Sequence, residues 1–328
     1  MRGCIMDLGY YIVPAVLIIA FVIAIILGPV FIPVLRRLKI GQTEREEGVK
    51  SHLQKAGTPT MGGIIFLIAS AAAAFIFAGW YPNIVPVMVL MLGFGAIGFL
   101  DDYLKVVLKR SDGLLAWQKL ILQFVVTTVF VVYLLNFTDI SLEMTVPFTH
   151  GAASIDLGVI AIPFLYIVVL ATVNGVNFTD GLDGLASSVT IVVAAFFVTA
   201  SLLLNAGVEP AGCAVAGGLM GFLCYNVFPA KVFMGDTGSL ALGGFVAGMA
   251  YIMNLPLFIP IVGIIYAVEL VSVVLQVSYF KLTHGKRIFR MTPIHHHFEL
   301  CGWSEPKIVA VFTIITVIAC VAGFYALY

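Results

Sequence analysis

Charge is what this sequence lacks most. Asp, Glu, Lys and Arg make up only 10% of its 328 residues, against roughly 25% in soluble domains. The chain is 61% hydrophobic with a mean hydropathy of +1.10. A water-facing surface cannot be built from that composition, which excludes a soluble fold. The chain also lacks any polar stretch long enough for a core of its own, the longest being 36–60, 101–118, 137–158 and 281–306. This leaves a single integral domain over 1–328, with no appended soluble domain. Neither an internal repeat nor a low-complexity tract is present. The five cysteines (Cys4, Cys213, Cys224, Cys301 and Cys320) are odd in number, show no C-x-x-C spacing and mostly sit in apolar windows. A disulfide framework or a thiolate metal site is therefore not expected.

What is present is a series of apolar windows with almost no charge. Hydrocarbon about 30 Å thick requires roughly 20 helical residues per crossing. Windows of that kind fall at 10–35, 61–79, 84–100, 118–136, 159–176, 185–204, 211–228, 238–253, 258–280 and 307–328. The fold expected is all-α and polytopic, with about ten transmembrane helices. The first apolar stretch runs past Ile32 into Arg36 and Arg37, too long for the core of a cleavable signal, so it is read as a retained helix. The segment 137–158 reads as a short hairpin or loop.

Cations orient the bundle, because Lys and Arg in short loops are retained in the cytoplasm. Arg36, Arg37, Lys39, Arg45, Lys50 and Lys55 follow the first window, and Lys105, Lys109, Arg110 and Lys119 follow the third. Lys231 follows the seventh, and Lys281, Lys286, Arg287, Arg290 and Lys307 follow the ninth. The intervening loops 79–86, 137–158, 205–210 and 254–257 contain neither Lys nor Arg. This alternation places the basic loops in the cytoplasm and both termini in the periplasm, in a bacterial inner membrane.

Four of the segments on the basic side hold polar residues at the hydrocarbon boundary. Asp101 and Asp102 close the third window, where adjacent carboxylates are costly unless paired. On a helix Lys105 is four residues from one and three from the other, and could neutralise either. A merely charged helix end is the alternative. Asn177, Asp180 and Asp183 recur every third residue between the fifth and sixth windows, which would align them along a helical turn. An Asn-, Asp- and Gly-rich turn explains the composition equally. Asp236 precedes the eighth window, where it could cap a helix. It could also hold Mg²⁺ beside backbone N–H groups at Thr237, Gly238 and Ser239 that face a phosphate. Phe233, just before it, could stack a base or simply pack. Last come His295, His296 and His297, near Lys286, Arg287 and Arg290. Consecutive histidines rarely point at one ion, and no H-E-x-x-H or Cys partner accompanies them, so contacts to a phosphorylated substrate are preferred over zinc. Together these residues read as phosphoryl chemistry on a lipid carrier. An ion-coupled transporter is the rival, opposed by acidic residues that, Glu269 apart, avoid mid-membrane positions.

Five stretches carry a family resemblance: Gly57-Thr58-Pro59-Thr60-Met61-Gly62-Gly63, Phe99-Leu100-Asp101-Asp102-Tyr103, Asn177-Phe178-Thr179-Asp180-Gly181-Leu182-Asp183-Gly184, Phe233-Met234-Gly235-Asp236 and Met291-Thr292-Pro293-Ile294-His295-His296-His297. Over essentially the whole chain the sequence resembles the polyprenyl-phosphate N-acetylhexosamine-1-phosphate transferases, and the histidine run is similar to their muramoyl branch. The resemblance implies transfer of phospho-MurNAc-pentapeptide from UDP-MurNAc-pentapeptide to undecaprenyl phosphate with Mg²⁺, giving lipid I and UMP, in a membrane-embedded homodimer. Nucleic acid is not expected among its partners. By motif, Asp101 and Asp102 would act in the reaction, one deprotonating the lipid phosphate, and Asp236 would join them as the Mg²⁺ ligand. Lys55, Thr60, Asn177, Asp180, Asp183, Asn226, Phe233, Gln276, His295, His296 and His297 would form or border the nucleotide-sugar pocket. Lys105 and Lys119 would face phosphates. A sister transferase using another UDP-sugar, and a two-step route through an aspartyl intermediate, stay open at this stage.

Overall fold

The computed structural model describes residues 2–37, 57–110 and 113–328. Lys55 lies outside the described residues. Among the described residues twelve α-helices follow one another: α1 Arg2–Arg37, α2 Gly63–Phe77, α3 Ile84–Val106, α4 Ala116–Phe137, α5 Ala161–Thr179, α6 Leu185–Leu204, α7 Glu209–Asn226, α8 Gly235–Ile252, α9 Ile259–Val262, α10 Ile264–Leu282, α11 Ile294–Leu300 and α12 Glu305–Leu327. Seven of them are long and apolar enough by length and composition to cross a membrane, among the described residues. Helix covers each of the apolar windows. Among the described residues sheet is confined to one antiparallel pair, β1 Met144–Thr145 and β2 Ser154–Ile155, with Met144 opposite Ile155. The protein is an all-α, polytopic membrane protein.

The window read as 258–280 is not one helix. A 3₁₀ turn at Pro256–Phe258 leads into the four-residue α9, and Gly263 separates it from α10. Pro260, which lacks an N–H, stands in the first turn of α9, where none is needed, and Gly263 joins the two helices at a point where a Cβ would lie 2.8 Å from the Ile259 carbonyl oxygen. The helix α11, absent from the sequence reading, starts directly after Pro293.

The bundle is organised around α8. Of its residues only Asp236 escapes full burial. Its most extensive partner is α3, and small residues permit the approach, as close helix contacts in lipid require. A Cβ on Gly244 would lie 2.9 Å from the Leu90 carbonyl, and one on Gly98 would lie 2.0 Å from the Asp236 carbonyl. Elsewhere α1 packs along α7, while much of α1, α4, α10 and α12 turns apolar side chains outward.

Loops at the two ends tie different helices together. At the end opposite the basic loops, where Arg2 begins α1, Asn83 Nδ2 donates to the Ala206 carbonyl, and the Thr145 and Phe148 N–H groups donate to the carbonyls of Asn254 and Ala326. At the basic end, Phe233 pairs its backbone with Pro59 and Gly62, and the Ala230 N–H donates to Asp183 Oδ2. The basic end is therefore where the motif-bearing segments meet.

Candidate active site

Asp236 is the meeting point of four helices. Its Oδ2 accepts from Lys105 Nζ at 3.1 Å, on α3, and from Lys119 Nζ at 3.0 Å, on α4. Its Oδ1 accepts from Asn177 Nδ2 at 2.8 Å, on α5. Asn177 also donates to Ser239 Oγ at 2.8 Å, one turn further along α8. The helix N-cap is Met234 rather than Asp236. The capping reading of this aspartate is thus overturned: its carboxylate points away from its own helix, towards cations on two others.

The capping of α8 comes from elsewhere. Asp102, on α3, accepts the Asp236 N–H at 3.2 Å, the Thr237 N–H at 2.9 Å and the Thr237 hydroxyl at 2.6 Å. Two of the orphan N–H groups of the α8 start are therefore filled by a carboxylate of the same chain, where the helix dipole favours negative charge. This corrects the expectation for Thr237, whose N–H goes to Asp102 instead of to a phosphate. It also separates the adjacent aspartates. Lys105 pairs with Asp101 at 2.7 Å, one helical turn back, so Asp101 is the member of the pair that faces the cations. The other Asp101 oxygen accepts the Leu114 N–H at 2.7 Å, from the approach to α4. Lys119 lies 3.8 Å from Asp101.

Asp180 completes the acidic group from the end of α5. Burial, then the carboxylates of Asp236, Asp102 and Asp183, push it well above the usual carboxylate range, and a hydrogen bond from the Gly235 N–H works in the opposite direction. Among the described residues the carboxyl groups of Asp101, Asp102 and Asp180 thus gather around Asp236, together with the ammoniums of Lys105 and Lys119. Four formal negative charges meet two positive ones, a donor set of oxygen ligands suited to a hard divalent cation. Among the described residues no three His, Cys, Asp or Glu side chains close around one point. Mg²⁺ does not need such a cage, since it is usually held by one or two carboxylates with the rest of its shell from water and substrate phosphates.

The other candidates surround this node and bind loop backbone. Asn226 donates to the Val232 carbonyl at 3.0 Å and accepts from Ser187 Oγ at 3.2 Å. Asp183 holds the Ala230 N–H at 2.9 Å. Gln276 Oε1 accepts the N–H groups of Ile288 and Phe289 at 3.0 and 2.9 Å, folding the loop after α10 back onto it. Phe233 is half-buried where the loops before α2 and α8 pair, and the buried Thr60 hydroxyl has no hydrogen-bond partner among the described residues. The histidines take different partners, because successive helical residues point about 100° apart, although the rings of His295 and His296 still touch, with centroids 4.1 Å apart. His295 is buried against Glu269 Oε1 at 3.0 Å, His296 meets Glu299 Oε2 at 2.7 Å, and His297 Nδ1 accepts the Arg290 N–H at 3.1 Å. Arg290 holds the Leu300 carbonyl, and Arg287 reaches the Arg290 carbonyl at 3.5 Å. The pairing of Glu269, the one acidic residue deep in a span, with His295 escaped the sequence reading. So did the roles of Thr237 and Ser239 as side-chain partners of Asp102 and Asn177. The signal for Glu269 was its cost in lipid, which demands a partner.

Comparison with known proteins agrees along the chain. Residues 84–254 match the model of Glycosyl transferase family 4, and residues 55–67 match phospho-N-acetylmuramoyl-pentapeptide-transferase signature 1. A curated relative from Acetivibrio thermocellus is 50% identical over 314 residues, covering 95% of this chain and 94% of its own. One from Clostridium botulinum (strain Alaska E43 / Type E3) is 50% identical over 314 residues, 95% of each. A third, from Caldanaerobacter subterraneus subsp. tengcongensis, is 50% identical over 313 residues, covering 94% and 97%. All three carry the name phospho-N-acetylmuramoyl-pentapeptide-transferase. Half of the matched positions are shared with each over nearly the full length, and the chain belongs to the phospho-N-acetylmuramoyl-pentapeptide-transferase family.

Proposed function

We propose that this protein transfers phospho-MurNAc-pentapeptide from UDP-MurNAc-pentapeptide to undecaprenyl phosphate, yielding lipid I and UMP, the first membrane step of peptidoglycan synthesis. The observation that carries this reading is the Asp236 node, where acidic oxygens and two ammoniums meet at the membrane boundary. Both a lipid phosphate and a soluble nucleotide can reach such a place. We place it on the cytoplasmic face of the inner membrane, with ten crossings and both termini outside, because the cation-bearing loops share its end of the bundle. The resemblance adds a homodimer.

In the reaction an oxygen of the lipid phosphate attacks the β-phosphorus of the donor. The bond from that phosphorus to the bridging oxygen breaks, and UMP leaves with the bridging oxygen. Lys105 and Lys119, paired with Asp101 and Asp236, offset the charge of the attacking and departing phosphates. Mg²⁺, held by Asp236 together with substrate oxygens, would neutralise the diphosphate. Asp101 takes the proton of a monoanionic lipid phosphate, while Asp102 secures the start of α8. Asn177 orients Asp236. Lys55, Thr60, Asp180, Asp183, Asn226, Phe233, Gln276 and the three histidines border the nucleotide-sugar pocket, several of them by shaping its loops. Ammoniums on Asp101 and Asp236 blunt these carboxylates as nucleophiles, which favours direct displacement over a covalent intermediate.

The test offers purified protein UDP-MurNAc-pentapeptide or UDP-GlcNAc with undecaprenyl phosphate and Mg²⁺. Lipid I and UMP are expected from the muramoyl donor alone, and failure with it defeats the reading. A burst of UMP equal to the enzyme concentration in rapid quench without acceptor would defeat the direct route.

A further inference from the structure

One polar contact deep between helices has no place in the reaction described so far. Gln123 on α4 is only 2% exposed. Its Oε1 accepts from Asn174 Nδ2, on α5, at 3.1 Å. The same Asn174 nitrogen donates to the Leu170 carbonyl at 2.8 Å. Gln123 stands seven residues into α4, about 10 Å along the helix from its start. Two amides placed there would be costly without a partner.

Helix α4 is weakly embedded. Its buried residues are Gln123, Thr127, Phe130, Val131 and Leu134, one stripe on a helix otherwise turned towards lipid. Thr127 uses its hydroxyl on the Gln123 carbonyl of its own helix. Among the described residues, side-chain hydrogen bonds between α4 and α5 join Asn174 to Gln123 and, further out, Thr128 with Tyr166 at 2.7 Å. The first of these governs the end that carries the site.

Its position relative to the node gives it meaning. Lys119 lies one turn before Gln123 on α4, and Asn177 lies one turn after Asn174 on α5. These two residues grip opposite oxygens of Asp236, at 3.0 and 2.8 Å. The amide pair is thus the next rung beneath the rung formed by Lys119, Asp236 and Asn177. Apolar side chains could have filled the same space in lipid without specifying a separation. A hydrogen bond specifies one.

We infer that Gln123 and Asn174 are a positioning pair for the transfer reaction: their bond sets the spacing of α4 and α5, so that Lys119 and Asn177 reach Asp236 together. This rests on the function proposed above.

The test uses the full chain with Gln123→Leu, Asn174→Leu, the double variant, and the exchange Gln123→Asn with Asn174→Gln. Turnover, donor KM and thermal midpoint are measured. The acylation rate of Lys119 is followed by peptide mass spectrometry, since an ammonium held by Asp236 reacts slowly. Each Leu variant is expected to lower kcat about tenfold, a part of the roughly hundredfold loss that a 1 Å misplacement brings, with donor KM nearly unchanged and Lys119 acylated faster. The double variant should be no worse than the singles, and the exchange should regain most of kcat and of the protection of Lys119. Unchanged kcat and unchanged Lys119 reactivity in Gln123→Leu would overturn the proposal, as would additive losses in the double variant. If the Leu variants do not fold, the exchange decides alone, since a role in packing only predicts no protection of Lys119 from it. Should the unmutated chain use a different UDP-sugar, the donor assignment fails while the same variants, assayed with that sugar, still test the pair. The Lys119 readout stands without any turnover.

Discussion

Gly98→Ala tests the geometry of the site most severely, because it adds one methyl at the crossing of α3 and α8. A Cβ built there lies 2.0 Å from the Asp236 carbonyl oxygen, 2.3 Å from its carbon and 2.6 Å from the Thr237 nitrogen. These are backbone atoms, so no side-chain rotation relieves the contact. A carbon and an oxygen rest at about 3.3 Å or more, so the helices must separate locally by about 1.3 Å. A separation of that size stretches the 2.9 Å bond from the Thr237 N–H to Asp102 to about 4 Å, beyond hydrogen bonding. It also carries Asp236 away from Lys105. Misplacement by about 1 Å costs a reaction about 10²-fold, and overpacking costs about 1–3 kcal/mol of stability. The assay is UMP release from UDP-MurNAc-pentapeptide with undecaprenyl phosphate, alongside the thermal midpoint. Gly95→Ala is the control on the same helix, since its Cβ would meet the side chains of Leu67 and Ala241 at 3.2 and 3.3 Å. About a hundredfold loss is expected for Gly98→Ala, and little change for Gly95→Ala. Turnover of Gly98→Ala above roughly a third of the unmutated rate would refute the reasoning, because misplacement by 1 Å could not then cost what is claimed.

Asp236→Asn removes the acceptor of two ammoniums and should lower turnover by at least about 10²-fold in a protein that still folds; unchanged turnover and unchanged Mg²⁺ dependence would return Asp236 to a structural role. Asp102→Ala leaves the N–H groups of Asp236 and Thr237 without their acceptor and should cost about 1–3 kcal/mol, the range for a buried donor left unsatisfied; a thermal midpoint equal to that of the unmutated protein would contradict the capping geometry. Asp180 is raised well above the carboxylate range by burial and by its acidic neighbours, so in metal-free protein it contributes stability below its unfolded pKa that is lost as pH rises through its folded one. Asp180→Asn should therefore raise the thermal midpoint in EDTA at neutral and alkaline pH and give no gain near pH 4, about the unfolded pKa of Asp, while weakening donor binding; a pH-independent difference would rule out this origin.

Hydrophobic length and the distribution of cations made the membrane bundle legible from residues alone. Burying a backbone in lipid leaves little choice but helix, and Lys and Arg resist crossing it. The same logic picked out Asp101, Asp102, Asn177 and Asp236 as candidates, since polar groups at that depth need a reason to be there. It failed where backbone geometry intervened. The interruption at Gly263 and the short α11 carrying the histidines arise from Pro and Gly positions whose effect depends on local packing.

Pairing was decided only in three dimensions. Spacing allowed Lys105 to serve Asp101 or Asp102, and the structure gives it to Asp101 and Asp236 because Asp102 is turned into the N-terminus of α8. Nothing local to Asp236 distinguished a cap from a ligand, since that distinction rests on residues 117 and 131 positions away in the chain. The sequence by itself thus determined which residues must avoid lipid, a matter of solvation that each side chain carries wherever it sits. Only the tertiary structure decided which of them meet, because a hydrogen bond or ion pair depends on distances that packing between helices sets.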